Sequence, residues 1–207
     1  MSVVAVIDYG MGNIRSVAKA VEHVADVTVR ITNDADSICA ADSVIFPGVG
    51  ALRDCMSELQ RLELDDAVRY CAGTRPFLGI CLGMQALMER SEENDGTPGL
   101  GIIAGEVRRF APAPGLKIPH MGWNQVHQQR DHPLWRDIDQ DSRFYFVHSY
   151  YVAPLDDDVV MATSTHGQGF VCALGRENVF ATQFHPEKSQ HAGLQLLKNF
   201  IGWDGSR

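Results

Sequence analysis

Phe77-Leu78-Gly79-Ile80-Cys81-Leu82-Gly83-Met84-Gln85 is the stretch whose reading decides the fold. A short apolar run ends in Gly79, passes through Cys81 and re-emerges after Gly83 into a helical pattern with Met84, Leu87 and Met88. The pattern G-x-C-x-G is the thiol counterpart of the G-x-S-x-G nucleophile elbow. In such an elbow a sharp strand-to-helix turn strains the nucleophile's backbone, and glycines on both sides remove Cβ atoms that would clash. A helix starting just beyond the sulfur offers free N–H groups and a positive dipole end, which favour thiolate over thiol. The bland alternative is an inert cysteine packed in a tight strand–helix turn.

Outward from this stretch, the first half reads as alternating strands and helices. Val3–Ile7 is a continuous apolar run, the signature of a strand buried on both faces. Asp8 to Asn13 is a loop, and Ile14, Val17, Ala18 and Val21 then recur at helical spacing. Gly10-x-Gly12 lacks the third glycine of a dinucleotide loop and no Gly-Lys-Ser/Thr follows, so a tight turn is expected there. Val27–Ile31 and Ser43–Phe46 are further strands, with helices from about 51 to 61 and 64 to 71 before Phe77–Ile80. This order predicts a mostly parallel, doubly wound α/β sheet flanked by helices, with its loops gathered at the strand C-terminal ends. Pro47-Gly48-Val49-Gly50 lies at such an end, where a backbone N–H can point at a reaction centre and act as an oxyanion donor. The alternative there is an ordinary glycine turn.

The second half changes character. Ser91 to Gly101 reads as a glycine-rich surface loop. Short strands follow at 105–110, 123–128, 144–148, 159–164, 170–174 and 179–184, as expected for antiparallel strands extending or covering the sheet. A closing helix sets Leu194, Leu197, Phe200 and Ile201 on one face.

Composition narrows the function. The 207 residues are 45% hydrophobic and 21% charged, which suits one globular domain spanning 1–207. A formal net charge of -8 argues against a nucleic-acid surface. The five cysteines are scattered with no C-x-x-C pair to suggest zinc, and read as reduced thiols. An apolar run almost at Met1 with no basic stretch before it, and no run of the ~20 residues that spans a bilayer, lead to the expectation of a cytoplasmic protein.

A cysteine nucleophile needs a base, and the base needs an orienting group. Of eight histidines, His185 stands apart. It ends a strand, Pro186 fixes the backbone after it, and Glu187 lies two residues on, on the same side if the chain is extended. His148 is the other possible base, though a structural hydrogen bond suits its strand-end position better. Cys81, His185 and Glu187 with an oxyanion hole, of which the Leu82 N–H is one donor, imply acyl transfer through a thioester. The residues alone leave the acyl substrate open.

Gly79–Gln85 together with Gln183-Phe184-His185-Pro186-Glu187-Lys188-Ser189 resembles the class I (triad) glutamine amidotransferases. Asp8–Asn13, Pro47–Gly50, Pro119-His120-Met121-Gly122-Trp123-Asn124 and Tyr145–Tyr151 narrow the likeness, end to end, to the glutaminase subunits of imidazole glycerol phosphate synthase. The resemblance implies hydrolysis of L-glutamine to glutamate and ammonia for histidine biosynthesis. It implies a heterodimer with a (βα)8-barrel cyclase subunit that receives the ammonia, and no cofactor or metal. By likeness Cys81 is the nucleophile, His185 the base and acid, and Glu187 its orienter, with the Val49 and Leu82 N–H groups forming the oxyanion hole. Gly48, Gly50, Gln85, Ser149 and Tyr150 surround the glutamine, while Met121, Trp123, Asn124, Tyr145 and Lys188 face the cyclase. Glutaminase activity is expected to be low in the lone chain and to rise when the cyclase holds its ligand. The alternatives are a glutaminase component of another biosynthetic amidotransferase, a non-catalytic redox-sensing fold-mate using Cys81, or a cysteine peptidase.

Overall fold

The computed structural model describes residues 2–206. Its first half runs β1 (Val3–Ile7), α1 (Ile14–Val24), β2 (Thr28–Thr32), α2 (Ala35–Cys39), β3 (Ser43–Gly48), α3 (Leu52–Arg61), α4 (Asp65–Thr74), β4 (Phe77–Cys81) and α5 (Leu82–Ala86). The second half adds β5 (Met88–Ser91), β6 (Thr97–Pro98), β7 (Ile103–Arg109), β8 (His120–Gln125), β9 (His127–Gln128), β10 (Arg143–His148) and β11 (Tyr150–Pro154). It closes with β12 (Val160–His166), β13 (Gln168–Arg176), β14 (Val179–Thr182) and α6 (Gln190–Ile201).

The main sheet has the order β2-β1-β3-β4-β14-β13-β11-β7-β5-β6, with β12 and β9 attached beside β13. From β2 to β14 every pairing is parallel, and β13, β11 and β7 continue antiparallel. β8 and β10 form a separate antiparallel ribbon. The expected mostly parallel sheet with antiparallel strands in the second half is what the chain adopts.

Burial on both faces explains the unbroken apolar runs. Val4 and Val6 pack with the residues of α1 and α6 on one side, Ala5 and Ile7 with those of α2, α3 and α4 on the other. Neither face meets water, so no polar residue alternates in the sequence. Ile14, Val17, Ala18 and Val21 of α1 are all buried, as their spacing predicts.

Tertiary pairing overrides local pattern in several places. The helix after Cys81 does not continue through Met88. It stops at Ala86 because the carbonyls of Ala86, Leu87 and Met88 accept N–H groups from the Leu100–Ile103 segment, which draws Met88 into β5. The expected strand 123–128 divides at Val126: β8 pairs with β10, whereas β9 pairs with β12. Strand β11 is not signalled by the sequence pattern, because the chain turns a corner at Ser149 and leaves the ribbon for the main sheet. α2, five residues long and capped by Asp34, carries too little pattern to be read. β14 ends at Thr182, short of the expected Phe184. In α6 the buried face centres on Gly193, Leu196, Leu197 and Phe200, with Leu194 and Ile201 at its margin. The stripe is turned toward Gly193 because a Cβ there would collide with the Pro186 carbonyl.

Candidate active site

The C-terminal ends of β1, β3, β4 and β14, all neighbours in the sheet, bring four loops to one edge. At the centre Cys81 has φ +55° and ψ -106°, a conformation L-residues avoid and that persists only where the surroundings impose it. Those surroundings are two glycines. A Cβ on Gly83 would run into the Phe46 carbonyl, and one on Gly79 would lie 3.2 Å from the Gly83 backbone and from Ala181 Cβ. The strand and helix thus touch where their side chains are missing. Leu82 opens α5, so its N–H is among the amides the helix leaves unpaired.

β14 lies parallel to β4 with Thr182 opposite Ile80, so the chain beyond Thr182 emerges beside Cys81. His185 Nδ1 lies 2.9 Å from Glu187 Oε1, and the two side chains are 2% and 1% exposed. They do not meet by alternation in an extended chain. Pro186–Lys188 is a 3-10 turn, and the turn folds Glu187 back onto the imidazole. The turn is tied to β10: the His185 N–H donates to the Tyr145 carbonyl at 2.9 Å, and the Tyr145 N–H donates to Ser189 Oγ at 2.9 Å. Ser189 Oγ in turn donates to the His185 carbonyl at 2.6 Å. Ser189 is a positioning residue the sequence did not reveal.

A carboxylate oxygen only accepts, so Nδ1 carries a proton and Nε2 is the atom left for chemistry. Nε2 has no partner within hydrogen-bonding geometry, yet it feels the sulfur. Burial pulls the imidazole pKa down, but the neighbouring Cys81 thiolate and then Glu187 outweigh it and raise the value to about 10. The sulfur on one side and the carboxylate on the other thus both favour the charged form of the His185 ring.

The sulfur opens into a cleft of about 270 Å3 lined by Val49, Gly50, Leu82, Gln85, Glu93, Pro119, Val147, His148, Ser149 and Tyr150. Gln85 is 6% exposed and faces inward. Its Nε2 donates to the Tyr150 carbonyl at 3.2 Å and to Gln183 Oε1 at 3.1 Å, and Gln183 Nε2 points at Cys81 Sγ, 3.7 Å away. Gly50 has φ +99°, which favours glycine. Gly48 lies behind the cleft wall rather than on it, with no room for a Cβ beside the Tyr9 hydroxyl and Leu82. Glu93 was hidden in what reads as a surface loop. Its carboxylate accepts the Leu52 N–H at 2.8 Å, at the start of α3, and forms part of the cleft.

Four of the five residues expected to face a partner gather on one surface. The ribbon register sets Trp123 opposite Tyr145 and Met121 opposite Val147. Met121 is 63% and Trp123 41% exposed, and Lys188 Nζ sits 5.8 Å from the centre of the Tyr145 ring. Asn124 departs from this group: its side chain turns inward to the Thr165 carbonyl and His120.

Comparisons with known proteins agree with this geometry. The family described as "Glutamine amidotransferase class-I" matches residues 5–203. The imidazole glycerol phosphate synthase subunit HisH of Nitrosococcus oceani is 60% identical over 207 residues, covering 99% of both chains. That of Acinetobacter baylyi is 56% identical, covering 99% of this chain and all of the other. Among solved structures, one described as a glutamine amidotransferase shares the fold with a TM-score of 0.73 at 18% identity, over 96% of this chain and 97% of that one. The structure of PurLQS from Thermotoga maritima does so with a TM-score of 0.71 at 16% identity, over 97% of this chain and 98% of that one.

Proposed function

Because the chain belongs to the class I glutamine amidotransferases, and within them to the HisH subunits of imidazole glycerol phosphate synthase, we propose that it hydrolyses L-glutamine and hands the ammonia to a cyclase subunit for histidine biosynthesis. The observation that carries the reading is the strained Cys81 beside a buried His185–Glu187 pair held at 2.9 Å. It acts as a single amidotransferase domain, in the cytoplasm. Among the described residues no helix is long and apolar enough to cross a membrane.

Glutamine enters the cleft with its side-chain amide toward the sulfur. Glu93 is the carboxylate of the cleft wall and suits the substrate's α-ammonium, while Gln85, Ser149 and Tyr150 shape the rest. The Cys81 thiolate attacks the amide carbon. The oxyanion is met by the Leu82 N–H and, in its productive orientation, the Val49 N–H, a donor pair of which each member is worth ~100 to 1000-fold in rate. His185 Nε2–H protonates the departing nitrogen, ammonia leaves, and a thioester remains on Cys81. His185, now neutral with its Nδ1 proton held by Glu187, takes a proton from water. Hydrolysis of the thioester then releases glutamate and restores the thiolate and imidazolium.

Met121, Trp123, Tyr145 and Lys188 supply the apolar and cationic centre of the surface that meets the cyclase, a (βα)8 barrel in a heterodimer. The His185 turn hangs from the backbone of Tyr145, so this surface and the base share one strand. The test is ammonia release from glutamine by the chain alone, with the cyclase, and with the cyclase and its ligand. Activity that rises at each step is expected. Absence of glutamate formation in the full assembly would end the reading.

A further inference from the structure

Three histidines outside the triad gather under the cleft. His120 and His148 are 5% and 7% exposed. The His166 ring stacks on His120 with centroids 4.2 Å apart. The three do not converge on a point, because their nitrogens are directed along a file of hydrogen bonds.

The file can be solved from both ends. His148 Nδ1 lies 2.7 Å from the Tyr150 carbonyl. A carbonyl only accepts, so Nδ1 carries the proton, and in the neutral ring Nε2 is an acceptor. His120 Nδ1 lies 2.9 Å from that Nε2, so it too must be an N–H, which leaves His120 Nε2 as an acceptor. From the other end, Asn124 Nδ2 donates to the Thr165 carbonyl at 2.8 Å, which fixes the amide orientation. Its second hydrogen faces His120 Nε2 at 3.2 Å, demanding the same acceptor. The two ends agree on one arrangement of protons. His166 stays outside it, donating from Nε2 to the Lys117 carbonyl at 2.8 Å.

A proton added to either ring would set two N–H groups face to face. Burial already opposes it, aided by the neighbouring His166, holding His120 down to about 4. Burial likewise holds His148 down to about 3 against the pull of the Tyr150 carbonyl, with the charges of His120, His166 and His185 adding to it. With its Nδ1 proton on a carbonyl and its Nε2 lone pair on His120, His148 has nothing left with which to act as a base, although it lines the cleft.

The Tyr150 carbonyl is where this file meets the site. It accepts from His148 and from Gln85, and Gln85 continues through Gln183 to the Cys81 sulfur. We propose that His120 and His148 are positioning residues of the glutaminase reaction, a neutral pair protonated on Nδ1 that holds the Tyr150 carbonyl against Gln85 and so fixes the substrate-binding wall of the cleft. The proposal rests on reading the cleft as the glutamine site.

The discriminating pair is His120→Asn and His120→Phe, each in the full chain assembled with the cyclase. Asparagine places an amide N–H where Nδ1 was and keeps the donor to His148 while losing the ring. Phenylalanine keeps the ring stacked on Phe146 and His166 but loses the donor. H120F is expected to raise the KM for glutamine by about tenfold, the worth of one lost buried hydrogen bond, with kcat within threefold. H120N is expected to stay near the wild-type KM. A role in packing alone predicts the reverse order, and that order, or equal effects, overturns the proposal. Nitrogen-15 histidine spectra of the wild-type chain give an arm independent of turnover. They should show His120 and His148 neutral and protonated on Nδ1 at pH 7, with the His148 Nε2 resonance shifting in H120F as it loses its donor while Nδ1 stays protonated on the Tyr150 carbonyl. An Nε2–H signal from His148 in the wild type would also overturn it. A wild-type assembly with the expected tautomers but no glutamine hydrolysis would instead count against the glutaminase reading.

Discussion

The elbow at 79–83 and the turn at 183–189 bring the two reacting groups together, but they are built differently. Cys81 is aimed by the turn it sits in: Gly79 lets β4 approach the Gly83 backbone, Gly83 lets α5 seat on the neighbouring strand at the Phe46 carbonyl, and the cysteine between them takes φ +55°. His185 is aimed from a distance. β10, across the ribbon, holds the turn through the Tyr145 backbone and Ser189. A nucleophile needs a fixed strained geometry, which a local motif supplies. A base that must exchange protons with a substrate, beside a partner-facing ribbon, hangs from the element that partner touches. The elbow should therefore answer to local substitutions, and the turn to substitutions on β10 and its ties.

Glu187→Gln gives the largest expected effect. It keeps the shape of the turn but not the charge that holds His185 in its tautomer, and kcat/KM for glutamine should fall by roughly 10²- to 10⁴-fold. The stability change has a definite sign with pH. His185 is raised from 6.5 to about 10 in the fold, so its contribution is full below about pH 6.5 and is lost as the pH rises through about 10. The gap in unfolding free energy between wild type and variant, followed by denaturant titration, should be widest near pH 6 and narrow toward pH 10. A gap that widened with pH would contradict the assignment.

Next comes Gly83→Ala. Its Cβ would collide with the Phe46 carbonyl, backbone that cannot move aside cheaply. The expected cost is about 2–4 kcal/mol in denaturant unfolding, with glutaminase lost. A stable, active G83A would break the claim that the elbow needs a residue without a Cβ where α5 seats on the Phe46 carbonyl of β3.

Ser189→Ala sharpens the other side of the comparison. It removes the side-chain link between β10 and the His185 carbonyl and leaves the Tyr145 N–H without that acceptor. A loss of about 1–3 kcal/mol is expected, together with a fall in kcat of about tenfold and little change in KM.

The smallest expected effect on the chain itself is that of Trp123→Ala. Trp123 is 41% exposed, so the variant's own unfolding free energy should stay within about 0.5–1 kcal/mol of wild type. Its affinity for the cyclase, read by calorimetric titration, should weaken by at least about 2 kcal/mol if this ring is an interface anchor.

The parallel half was legible because burial on both faces of β1, β3 and β4 writes apolar runs, and because the elbow's constraints are encoded within five residues. Cys81, His185 and Glu187 were legible as residue types, but the reason His185 meets Glu187 was not. Alternation along a strand suggested it, whereas a 3-10 turn achieves it. Ser189 and Glu93 escaped because their partners, Tyr145 and Leu52, are far away in sequence. Asn124 was legible as a residue of β8, but not the bond from its amide to the Thr165 carbonyl, 41 residues on. The early end of the helix at Ala86 has the same cause: carbonyls captured by a distant glycine-rich segment. Local sterics can be read from local sequence, and pairing between distant segments cannot.

The central claim is that Cys81, beside His185, is the atom that attacks glutamine. Incubating the assembled protein with a glutamine-like diazo ketone and mapping the adduct by mass spectrometry tests it most directly. The account predicts one adduct per chain, on Cys81, blocked by glutamine and slowed in Glu187→Gln. An adduct on any of the other four cysteines in its place, or labelling of Cys81 that glutamine leaves unaffected, would contradict it.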